Sequence, residues 1–119
     1  MTPAIFALTA LAGGLGAAAR YVIDVGVGRL TGTRFPWGVF AINLVGSFLL
    51  GLLTAALPDW AFVIGVGVLG GFTTFSTAMV DTVALWREGA RWASLFNAIG
   101  MLVLGILAAA AGLALGALI

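Results

Sequence analysis

The sequence predicts an all-α membrane protein: four transmembrane helices in a single domain, 1-119, with a break in the third. Three observations predict it. Apolar residues fill 63% of the 119 positions and charged ones only 8%, against roughly 25% charged in a soluble domain. Four apolar stretches, Pro3 to Ile23, Trp37 to Leu57, Ala61 to Trp86 and Trp92 to Leu118, each reach the roughly 20 residues that cross a hydrocarbon core. In the third, Gly70-Gly71-Phe72-Thr73-Thr74-Phe75-Ser76-Thr77 sets two glycines and a hydroxyl run at mid-span. Alternation of apolar and polar residues is absent, which argues against a transmembrane β-barrel.

The first stretch holds Ala17-Ala18-Ala19, which looks like a signal-peptide cleavage site. No Lys or Arg precedes it and the apolar run continues beyond it, so a retained helix is expected. Gly13, Gly16, Arg20 and Asp24 fall along one face of that helix. They form either a small-residue packing groove, with Arg20 snorkelling beside Asp24, or an electropositive vestibule that concentrates an anion. Gly26, Gly28 and Gly32 loosen the connection that follows, and Pro36 opens the second helix.

Helix two carries Asn43, Ser47 and Thr54, within about 40° of one another at roughly 100° per residue. A lone Asn would be an interhelical hydrogen bond; a stripe of three points to a hydrated track, along which the Asn43 amide can donate two hydrogen bonds. Pro58 stops this helix.

In the third stretch, each glycine costs a helix interior about 1 kcal/mol relative to alanine. The hydroxyls of Thr73, Thr74, Ser76 and Thr77 can take up backbone groups that a break frees. Carbonyls released there are hard oxygen ligands, suited to Na⁺. Thr74, Thr77 and Asp81 share a face, and the positive ring edge of Phe75 beside them can meet a partly dehydrated anion. The bland alternative is a glycine hinge whose hydroxyls satisfy their own helix. The fourth stretch is nearly bare of polar groups after Asn97, and its Gly112 and Gly116 permit close helix contact.

All four tryptophans and Tyr21 lie at span ends, as an interfacial belt requires. Arg29 and Arg34 in the first connection and Arg87 and Arg91 in the third place those loops in the cytoplasm, with both termini outside. There is no cysteine and no histidine. That removes disulfides, thiolate and imidazole chemistry and the usual zinc sites, leaving little for an enzyme. A net charge of +1 with no basic tail offers nothing to nucleic acid.

Three motifs together resemble one family. Gly13-Gly14-Leu15-Gly16-Ala17-Ala18-Ala19-Arg20-Tyr21, Asn43-Leu44-Val45-Gly46-Ser47-Phe48-Leu49-Leu50-Gly51 and the run from Gly70 to Thr77 are similar, in order and separation, to motifs of the Fluc (CrcB) fluoride channels. The resemblance implies an antiparallel dimer of four-helix subunits in the plasma or inner membrane, exporting fluoride passively through two narrow pores. It implies a structural Na⁺ on the two-fold axis, held by the Gly70 and Thr73 carbonyls. It also implies that Asn43 and Phe75 contact fluoride, that Ser76 and Thr77 line its route, and that Arg20 stands at a vestibule.

Two departures from the family pattern stand out. Ala78 replaces a second phenylalanine, and the fourth helix has no hydroxyl side chain beyond Asn97. Together with the one-sided arginines, they suggest a heterodimer whose partner has the reverse orientation and supplies the missing pore groups. A non-conducting partner subunit and a small proton-coupled drug exporter are the competing expectations; the exporter would need a mid-membrane carboxylate, and the only candidates, Asp24 and Asp81, lie towards span ends.

Overall fold

The structure, a computed structural model, describes residues 2–119. Four helices among the described residues are long and apolar enough to cross a membrane: Pro3–Thr31, Trp37–Ala56, Ala61–Arg87 and Arg91–Leu118. The third and fourth change their winding along the way. Ala61–Leu69 is π-wound and continues as α-helix through Gly70–Phe72, after which the helix resumes at Ser76–Arg87. The fourth span runs Arg91–Leu95, a π-wound Phe96–Gly100, and Met101–Leu118.

Helix one is the element that differs most from its sequence reading. It runs eight residues past Ile23, so Gly26, Gly28 and Arg29 lie inside it rather than in the connection. Two glycines are too small a penalty to stop a helix whose amides have no other partner near the membrane. The helix ends at Gly32, whose φ of 80° reverses the chain and whose N–H closes back on the Gly28 carbonyl. Arg29 in the last turn complements the negative end of the helix dipole. At the other end, Thr2 caps the first turn by accepting the Ile5 N–H at 3.1 Å.

Glycines let backbones meet at two seams. Helix one lies on the first half of the third span, where a Cβ at Gly16 would overlap the Val68 carbonyl and one at Gly71 the Gly13 carbonyl. Helix two lies on the second half of the fourth span, where a Cβ at Gly51 would overlap the Ala109 carbonyl and one at Gly112 the Phe48 carbonyl. In hydrocarbon, where no hydrophobic drive joins helices, such close van der Waals contact is a principal source of cohesion.

An aromatic cluster ties the first connection to the start of the fourth span: Phe40 stacks on Phe96 at 5.2 Å and 11°, and Phe35 sits 5.8 Å from Phe96. The first and third connections therefore share one end of the bundle, with Arg34 beside them. A second tie is polar. Asn97, fully buried, donates to the Thr82 hydroxyl (2.9 Å) and the Ala78 carbonyl (3.3 Å), while Ser94 donates to the Thr82 carbonyl (2.7 Å). Sequence reading passed over this cluster; the Ser94 and Asn97 spacing, which puts both on one helix face, was its only signal.

Candidate functional site

Three consecutive residues, 73 to 75, carry no helix in the middle of the third span. Thr73 is extended, at φ −83° and ψ 158°. The chain can leave the helix there because other groups take over its hydrogen bonds. Asn43 on helix two meets the Thr74 peptide from both sides: its Nδ2 donates to the Thr74 carbonyl at 2.8 Å and its Oδ1 accepts the Thr74 N–H at 2.9 Å. The Thr77 N–H goes to the Thr74 hydroxyl at 3.2 Å. In a continuous helix these two amides would close on the carbonyls of Gly70 and Thr73. Both carbonyls are thereby released from their helical donors.

Room for this arrangement comes from helix two. Gly46 is buried, and a Cβ there would overlap the Thr73 methyl. Thr73 in turn donates both its N–H and its hydroxyl to the Leu69 carbonyl, each at 2.9 Å, which anchors it to the end of the first half of the span. Opposed side chain and backbone, not the glycine pair alone, hold the interruption. Gly70 and Gly71 remain helical, and a Cβ at Gly71 would overlap helix one. Their role is close packing next to the break.

The site residues fall into two groups. Asn43, Ser47, Gly70, Thr73, Phe75 and Met101 border one mid-span cavity of about 300 Å³. Arg20 and Thr77 border another, of about 180 Å³, with Tyr21 and Asp24. Thr77 also borders a larger cavity of about 510 Å³ that reaches Asp81 and Arg29. Thr74 links the groups, since it holds both Asn43 and Thr77. Ser76 stands apart on the exposed side of the third span, 3.5 Å from the Thr74 hydroxyl.

Several sequence expectations shift in detail. The polar stripe on helix two stops at Ser47: Thr54 is exposed and spends its hydroxyl on the Leu50 carbonyl. On helix one, Gly16 packs against the third span, and Arg20 borders a cavity with Asp24, its buried Nε without a partner. Asp24 seats against Gly38 on helix two. Ala78 is buried to 1% exposure against the fourth span and lines no part of the mid-span cavity. Met101, which sequence reading missed, accepts the second Asn43 N–H on its sulfur at 3.1 Å. Its one signal in the sequence is that it is the sole side chain with a heteroatom after Asn97.

The family model described as "CrcB-like protein, Camphor Resistance (CrcB)" matches residues 7–113, covering all four spans and the break. The chain belongs to the CrcB family. Its CrcB relatives match over nearly their full lengths. It is 44% identical to the fluoride-specific ion channel FluC 1 of Leifsonia xyli subsp. xyli, over 99% of this chain and 90% of the relative. It is 46% identical to the fluoride-specific ion channel FluC of Agrobacterium fabrum, over 92% and 94%. FluC 1 of Rubrobacter xylanophilus is 45% identical over 98% and 97%. With its four apolar spans, this CrcB chain is a multi-pass membrane protein.

Proposed function

We propose that this chain forms a fluoride-selective channel that releases fluoride from the cytoplasm down its electrochemical gradient. Fluoride enters cells as the weak acid HF, dissociates in the less acidic interior and is trapped as the anion. A passive pore suffices to clear it. Selectivity demands a narrow path, because donors must replace the water of a small, strongly hydrated ion.

One observation carries the reading: the break in the third span and the Asn43 amide border one small cavity, open on the exposed side, with a phenyl ring at its edge. Asn43 offers N–H to the anion and Phe75 its positive ring edge. Arg20 raises the local anion concentration at the vestibule, and Thr77, linked to the cavity through Thr74, leads from one to the other. Ser76 lies beside this route.

A dimer follows from the physics of the exposed face. Gly70, Phe75 and Ser76 are all exposed, with Phe75 at 79%. Broken backbone cannot face lipid, where each unsatisfied group costs several kcal/mol. Protein must cover it, and we assign that role to a second subunit lying head to tail. The released Gly70 and Thr73 carbonyls fit Na⁺ in donor type, and the second subunit would complete the set. Bound there, Na⁺ would supply positive charge to the carbonyls freed at the break.

The arginines favour a non-identical partner. Arg29, Arg34, Arg87 and Arg91 all sit at one end of the bundle, a strong bias toward one orientation. Reporters fused to each terminus, expressed without a partner, should place both outside; a near-equal mixture of orientations would refute a non-identical partner. Fluoride efflux from liposomes, followed with an electrode, tests the whole reading. Efflux by the chain with its partner, lost in Asn43→Asp, supports it; efflux by neither the chain alone nor the pair refutes it.

A further inference from the structure

The Asn43 side chain has two N–H groups and two acceptors of very different quality. One is the Thr74 carbonyl at 2.8 Å; the other is the Met101 thioether at 3.1 Å. Sulfur is a weak acceptor, whereas a hydrogen bond to an anion is charge-assisted and roughly twice as strong as a neutral one. The bond to Thr74 secures the break. The bond to sulfur is therefore the one that an entering anion displaces.

Met101 is built to yield. It is half-buried, lines the same cavity as Asn43 and Phe75, and begins the α-helix immediately after the π-wound Phe96–Gly100 turn. Its three rotatable bonds allow the sulfur to swing aside without moving the backbone. It is also the only side chain with a heteroatom between Asn97 and the end of the chain. An otherwise inert helix thus presents its one acceptor to the cavity's principal donor.

We propose that Met101 is an internal competitor of fluoride: its thioether occupies the second Asn43 N–H and must be displaced each time an ion enters, which sets the channel's apparent affinity. This rests on the reading of the mid-span cavity as the fluoride site.

The test is fluoride conductance as a function of concentration, in whichever assembly conducts. Met101→Leu keeps the volume but cannot accept a hydrogen bond, and a swap of this kind is well tolerated in packed interiors. Half-saturating fluoride should fall by about two- to fivefold, the equivalent of one weak hydrogen bond. Oxidising the wild type probes the same contact without a substitution. A sulfoxide oxygen accepts more strongly, so half-saturation should rise, recover with methionine sulfoxide reductase, and stay unmoved by oxidant in Met101→Leu. Identical half-saturation in wild type and Met101→Leu, or an oxidation effect that persists in the variant, would overturn the role of Met101 while leaving the site intact. Loss of fluoride conduction from every assembly of the wild type would overturn the site, and this inference with it.

Discussion

Asn43 and Thr74 meet as two amides, each donating to and accepting from the other, across 31 positions of sequence. A side chain on helix two thereby replaces the hydrogen bonds that the third span would make with itself. The break is a tertiary feature held from outside.

Removing that side chain strands both Thr74 groups. Asn43→Ala should destabilise the folded protein by about 1–3 kcal/mol, the cost of leaving buried polar groups unpaired. Asn43→Asp should be worse, because a carboxylate oxygen then faces the Thr74 carbonyl and the anion alike. Thermal unfolding in detergent measures the first effect and liposome efflux the second.

Gly46→Ala places a methyl where the Thr73 methyl already sits. Overpacking of this kind costs about 1–3 kcal/mol, and relief requires the Thr73 side chain to leave its hydroxyl bond to the Leu69 carbonyl or the backbone at the break to shift. Fluoride efflux should fall steeply while the helical content stays constant. Circular dichroism beside efflux separates the two.

Phe75→Ala should divide function from stability. With 79% of Phe75 exposed in the subunit, its loss should change subunit stability by no more than about 0.5 kcal/mol. Efflux should nevertheless be lost, since the ring edge stands at the cavity. A large drop in the melting temperature of Phe75→Ala would instead assign the ring to packing.

Placing at 78 the second phenylalanine that the resemblance implies should fail. Ala78 is only 1% exposed and its carbonyl takes the Thr82 hydroxyl and the Asn97 amide. Ala78→Phe would pry the third span from the fourth, at about 1–3 kcal/mol. Higher efflux with unchanged stability would show that the ring finds space at the cavity after all.

The spans were legible because lipid imposes a length and a composition on any segment that crosses it. Helix ends were less so: Gly26 and Gly28 read as a loop, yet the helix runs to Thr31, since an amide near hydrocarbon gains more from a helical bond than glycine loses. The polar and aromatic residues that border the mid-span cavity were legible by type. Their grouping was not, and the split of Arg20 and Thr77 from Asn43 and Phe75 arises from packing between elements far apart in the chain.

By itself, then, the sequence determined four membrane helices, their biased arginines and the mid-span run from Gly70 to Thr77, because hydrophobicity, charge and chain flexibility are properties of residues in order. Only the tertiary structure decided that Thr54 leaves the polar stripe, that Ala78 is sealed against Asn97, and that Met101 shares the Asn43 amide. Hydrogen bonds in a low-dielectric interior go to whichever partner packing brings within reach, and no local pattern records which one that is.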